Sequence, residues 1–113
     1  MKVYISGPIK GHEDFIEKFK KAYEEVEEWA MPVNPVEIGA CEQAAGVCMF
    51  PGDMLETGHT WQCYMRYDIA ELVFCDGIYM LDGWETSKGA TEELRIATML
   101  GMEVYFQRER LGT

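Results

Sequence analysis

Two adjacent carboxylates, Glu92 and Glu93, follow the turn "SKGA" in the stretch "LDGWETSKGATEEL", residues 81–94. A carboxylate beside a helix start is either a solvated charge that complements the helix dipole or, when held inward, a candidate nucleophile or general base. Helical period separates the two. Ala90, Leu94, Ala97 and Gly101 recur at i, i+4, i+7 and i+11, and Glu93 falls with Ala97 and Leu100 on that inward side. Glu92 lies nearer the outward Arg95 and Met99. Asp68 repeats the anomaly, seven residues after Trp61 on a face shared with Met65 and Leu72, where an apolar residue is expected. An ionised carboxylate buried without partners costs several kcal/mol, so each of these two needs either a compensating ion pair or cap, or a function.

Other residues of chemical interest surround the pair. Ser87 is the natural N-cap of the last helix, and with Gly89 allowing close backbone approach the same turn can present N–H groups to a phosphate. Trp84, in the loop before it, either covers the edge of the core or stacks on a base. The turn "GPIKG", residues 7–11, is too short and too plain to be a dinucleotide or P-loop fingerprint, and neither GxGxxG nor GxxxxGK[ST] occurs anywhere in the chain. Cys41, Cys48, His59 and Cys63 have the side chains of a zinc site but no CxxC pair and no HxxxH spacing, so no metal is expected. Cys75 lies in an apolar run and reads as a small core residue.

These residues need a scaffold, and the pattern along the chain supplies one. Residues 2–6, "KVYIS", read as a strand. From 12 to 29, Phe15, Ile16, Phe19, Ala22, Tyr23, Val26 and Trp29 recur at helical spacing, with Glu and Lys on the other face. "MPVNP" is a brief strand closed by Pro35, and 36–58, rich in Gly and without sustained period, is a long loop and candidate lid with a helical turn near Cys41–Ala45. Thr60 to Leu72 is helical by period, "LVFCDGIYML" reads as a buried strand, 90–100 as a helix ended by Gly101, and "EVYF" as the last strand. Alternating strands and helices predict one α/β domain over 1–113, a parallel sheet with helices on both faces. Ligands of such sheets bind at the carboxyl ends of the strands, which here are followed by "SGPIKG", "NPVEIG" and "DGWETSKGA".

Composition narrows the partners. A net charge of -10, from 10 Lys and Arg against 20 Asp and Glu, disfavours a nucleic-acid polymer, whose binding requires clustered cations. Hydrophobic residues at 48% and charged residues at 27% match a folded globular chain. The start "MKVYISGPI" runs into a strand with no apolar signal region, and no stretch approaches the ~20 apolar residues of a membrane span, so a cytoplasmic protein without a membrane partner is expected.

"YISGPIKG", "DIAELVFCDGIYML" and "GWETSKGATEE" followed by "LG", in this order and spacing, resemble the small phage and bacterial proteins grouped as DUF4406, which belong with the nucleoside 2-deoxyribosyltransferase and deoxynucleoside 5'-monophosphate N-glycosidase superfamily. The resemblance covers nearly the whole chain except the loop from Glu37 to Trp61. It implies a flavodoxin-like doubly wound sheet of four to five strands. It also implies a nucleophilic glutamate in a Gly-x-x-x-Glu pattern, here Gly89 to Glu93, which selects the residue already chosen by helical phase. By the same resemblance Asp68 assists at the base or sugar, Tyr4 orients the nucleophile, and Ser6, Gly7, Pro8, Ile9, Lys10 and Gly11 wrap the substrate. Ser87 stands where the deoxyribosyltransferases carry an aspartate and the N-glycosidases a phosphate-binding serine, so a nucleotide is implied, held by Ser87, Lys88 and Gly89. Lys10 replaces a frequent arginine and keeps the cation while losing its bidentate geometry.

The expected activity is therefore hydrolysis of a 2'-deoxynucleoside 5'-monophosphate through a glutamyl-deoxyribosyl ester, without cofactor or metal. Base exchange and non-catalytic nucleotide binding are the alternatives. Met49, Phe50, Met54, Trp61, Tyr64 and Tyr67 exceed the needs of one small core, and a homodimer around the Trp61–Tyr67 helix is expected.

Overall fold

Two strands with almost no exposed side chain form the middle of the molecule. The computed structural model describes residues 1–9, 13–41 and 48–108. In it β1 (Lys2–Ser6) pairs in parallel with β3 (Gly77–Met80), in a register that sets Tyr4 against Ile78 and Ser6 against Met80. β2 (Met31–Val33) adds to the free side of β1 and β4 (Glu103–Phe106) to the free side of β3, both parallel, giving the order β2-β1-β3-β4. This is a doubly wound, flavodoxin-like sheet, and its strand order reverses between β1 and β3, where such sheets open a crevice at their carboxyl ends.

The helices cover both faces, as the period-two side-chain alternation requires. α1 (Phe15–Glu27) buries Phe19, Ala22 and Val26 against Val3, Ile5, Tyr79 and Leu81. α2 (Trp61–Leu72) and α3 (Lys88–Met99) lie on the other face, where Tyr4, Ile78 and Met80 pack with Leu72, Cys75, Ala90 and Ala97. Tyr4 and Ser6, two residues apart on β1, therefore share the face that α3 covers.

Three expectations change. The apolar run "LVFCDGIYML" is not one strand: Leu72 ends α2, Val73 caps it, and only Gly77–Met80 enters the sheet. Leu72 and Cys75 are buried but Phe74 between them is 78% exposed, so the run is broken by a helix end, and apolar content alone could not mark the boundary. Ile16 keeps the helical spacing of α1 yet lies on its exposed side. The described parts of the 36–58 loop also carry more structure than the lack of period implies. Pro35–Glu37 forms a 3-10 turn capped by Asn34, and Met54 bridges Thr60 in antiparallel fashion. Gln62 of α2 accepts from the Asp53 N–H at 2.8 Å and donates back to the Asp53 carboxylate at 3.0 Å. The turn expected near Cys41–Ala45 falls, beyond Cys41, outside the described residues, as do Lys10 and Gly11.

Candidate active site

Glu93 reaches the middle of the sheet from the second turn of α3. Ser87 starts that helix, its side-chain oxygen accepting from the Ala90 N–H at 3.1 Å and its carbonyl from the Thr91 N–H at 3.0 Å. Six residues on, helical phase turns Glu93 inward beside Ala90 and Ala97, leaving it only 5% exposed. Glu92 points out and forms a surface ion pair with Arg95 at 2.8 Å.

The buried carboxylate is fully engaged. Tyr4 donates its hydroxyl to one oxygen at 2.5 Å, and Ser6 donates to the other at 2.8 Å. Both donors are completely buried on β1. No described buried side-chain oxygen or nitrogen lacks a partner, so the compensation that a buried carboxylate demands comes from these two hydroxyls. Each carboxylate oxygen still keeps a lone pair for chemistry.

The electrostatics sort the two inward acids. Burial pushes the Glu93 carboxyl up, the hydrogen bonds from Tyr4 and Ser6 pull it back, and it comes to rest at about 7. Asp68, on the neighbouring α2, is pushed up to about 8 by its own burial and then by the charge of Glu93. Burial, and next the negative charges of Glu93 and Asp68, hold the Tyr4 hydroxyl well above the usual tyrosine range, so it remains a donor. Both carboxyls are held above the usual carboxylate range, Asp68 the higher of the two, so as pH rises Glu93 ionises first while Asp68 keeps its proton. One ionised carboxylate beside one protonated carboxyl is the arrangement that nucleophile and general acid require.

A family model for a domain of unknown function, DUF4406, matches residues 1–106. The chain belongs to DUF4406. No curated protein and no solved structure matches it. The chemistry of this DUF4406 chain has to be read from its own residues.

The other expected site residues that the structure describes lie in the segments that follow β1 and β3. Gly7 and Pro8 are buried directly after β1, and a Cβ on Gly7 would stand 2.8 Å from Leu81, so only glycine lets the two strand ends approach. Ile9 is exposed. Gly89 packs near Met65 and Trp61 of α2, and the Lys88 ammonium lies 4.3 Å over the Trp61 ring. The first N–H groups of α3, on Lys88 and Gly89, precede any intrahelical acceptor and are free in geometry to meet an anion. Trp84 tilts over Phe106 at 6.0 Å and lines an open depression of about 170 Å³ with Met80, Asp82, Glu85, Phe106 and Arg108. That depression does not include Tyr4, Asp68 or Glu93, and Trp84 covers the β4 edge of the core.

Two features escaped the sequence reading. Ser6, expected on the substrate, instead holds Glu93; the signal for it was the period of two that sets it on the face of Tyr4. The second is a cluster of thiols and imidazole. Cys41, Cys48, His59 and Cys63, set aside for lack of a zinc spacing, bring one ligand atom each within 4.8 Å of one another. The expectation of no metal rested on spacing alone, and the fold assembles what the spacing does not announce.

Proposed function

We propose that this protein is a cytoplasmic nucleotide N-glycosidase that cleaves the bond between base and sugar in a 2'-deoxynucleoside 5'-monophosphate. The observation that carries the reading is Glu93, buried, gripped by Tyr4 and Ser6, and paired with an Asp68 whose carboxyl stays protonated at neutral pH. In the first step a Glu93 oxygen attacks C1', the bond from C1' to the base nitrogen breaks, and Asp68 gives its proton to the departing base. In the second, Asp68 as carboxylate takes a proton from water, which attacks C1' and frees Glu93 from the ester. The products are the free base and 2-deoxyribose 5-phosphate. Tyr4 and Ser6 fix the carboxylate before either step.

Support for a nucleotide rather than a nucleoside lies at the start of α3. The Ser87 hydroxyl proton is available while its oxygen caps the helix, and the Lys88 and Gly89 N–H groups and the Lys88 ammonium lie within the same turn. Membership in the superfamily of nucleoside deoxyribosyltransferases and monophosphate N-glycosidases, implied by the resemblance above, is part of this proposal. So is a homodimer, in which a second copy covers Met49, Met54 and Tyr67, all exposed along α2 and the loop before it. Light scattering reads that stoichiometry, and a fully active monomer would refute it.

Incubation with a panel of deoxynucleoside monophosphates, with chromatography of the bases released, tests the activity. Free base from at least one nucleotide is the expected result. A new nucleotide formed only when a second base is supplied would make the protein a transferase, and nucleotide binding without any base release would make it a binding module.

A further inference from the structure

The cluster outside the carboxylate site has its own geometry. The Cys41 sulfur lies 3.6 Å from that of Cys48 and 3.4 Å from His59 Nδ1, and the Cys63 sulfur lies 3.9 Å from the same nitrogen. A zinc ion with Zn–S of about 2.3 Å and Zn–N of about 2.0–2.1 Å at the centre of a tetrahedron sets its ligand atoms roughly 3.5–3.8 Å apart. The four side chains come from three separate places. Cys41 and Cys48 flank the middle of the loop, His59 precedes the Thr60 cap of α2, and Cys63 sits in the first turn, its sulfur also accepting from the Cys41 N–H at 3.4 Å. His59 stacks edge-on to Tyr64 at 5.6 Å, which orients the ring.

Among its described residues, the loop is held mainly by hydrogen bonds and buries little apolar surface. Met49 and Met54 are exposed, and Leu55 and Phe50 are only half-buried, so the segment has almost no apolar core of its own. A segment in that position is commonly stapled by a metal or by disulfides. Three sulfurs and one imidazole form the soft set that selects zinc over magnesium or calcium.

We propose that Cys41, Cys48, His59 and Cys63 bind one zinc ion in a closed structural site that pins Cys41 and the 48–60 stretch to the start of α2. With all four positions filled by protein, no coordination site is open for substrate, so the ion plays no part in base cleavage. Binding displaces the thiol protons of the three cysteines to the buffer and leaves His59 neutral. Its effect on the carboxylate site is mechanical: Trp61, on the first turn of the helix it anchors, lies under the Lys88 ammonium, and Trp61 and Met65 bound the space into which a Cβ at Gly89 would project.

The test is the metal content of the full chain, purified under reducing conditions without added metal. Roughly one zinc per chain is expected. Removal of the zinc and titration with cobalt(II) should give thiolate-to-cobalt charge-transfer absorption and the intense bands of a tetrahedral ion. Cys63→Ser should lose most of the metal, while Cys75→Ser, a buried cysteine outside the cluster, should keep it. Far less than stoichiometric zinc together with no tetrahedral cobalt spectrum would overturn the site. Equal metal loss in Cys63→Ser and Cys75→Ser would overturn the assignment of its ligands. If Cys63→Ser does not fold, the wild-type zinc content and cobalt spectrum decide alone.

Discussion

The starts of α2 and α3 lie side by side in this protein, and each carries a cluster of reactive groups. At α3 the groups come from regular elements: Glu93 from α3 itself, Tyr4 and Ser6 from β1, and Asp68 from the neighbouring α2. At α2 they come from a loop and a helix end, with gaps of 7, 11 and 4 residues between Cys41, Cys48, His59 and Cys63. The first cluster centres on a buried, tightly hydrogen-bonded and electrostatically tuned carboxylate, as the proposed bond breaking would require. The second has four ligand atoms around one point and no open position, as a staple must have. Proximity of reactive side chains thus says little about function until the surrounding bonds show what each group is free to do.

The contrast can be broken at several points. The largest effect belongs to Glu93→Gln, expected to lower the turnover of base release at least about a thousandfold, as loss of a nucleophile does. Glu92→Ala removes only an exposed ion pair with Arg95, and comparable losses in the two variants would remove the assignment. Next is Ser87→Ala. A hydrogen bond to a charged phosphate is worth about 1.5–3 kcal/mol, so kcat/KM for a deoxynucleotide should fall about 10- to 150-fold while that for the matching nucleoside holds. An equal fall for both substrates would mean that Ser87 only caps α3.

The smallest effect is one of stability and depends on pH. In the unfolded chain Asp68 ionises near its ordinary 3.8, whereas in the fold it keeps its proton up to about 8. Between those values the folded state binds more protons than the unfolded one, so this group makes stability fall as pH rises through that window. Asp68→Asn cannot ionise. It should match the wild type in stability near pH 4 and exceed it by about 1–2 kcal/mol at pH 8, the full shift being discounted because Asp68 is only half-buried. Denaturant melts at the two pH values measure the difference. A variant equally destabilised at both would show that Asp68 is not strained by ionisation.

What could be read without the structure follows the same division. Helical phase placed Glu93 inward and Glu92 outward, and the alternation of strands and helices gave the parallel sheet, because both are short-range regularities with a fixed period. The same method failed at Leu72–Phe74, where an apolar run crosses from a helix end to a strand, and composition does not change at the boundary. Ser6 was found without its bond: sequence places it beside the ligand crevice, and only the packing of α3 over β1 shows that its hydroxyl turns to Glu93. The thiol cluster was illegible because a loop can join residues at any spacing, and no period connects them.

A double displacement at C1' through Glu93 would fix the configuration of the product. Base release run in aqueous methanol, with the methyl deoxyriboside 5-phosphate examined by NMR, records which face of the sugar was attacked last. Two successive displacements predict a product with the anomeric configuration of the substrate. The inverted anomer would mean that solvent attacks in a single step with Glu93 as its base, and it would contradict the ester intermediate on which this account depends.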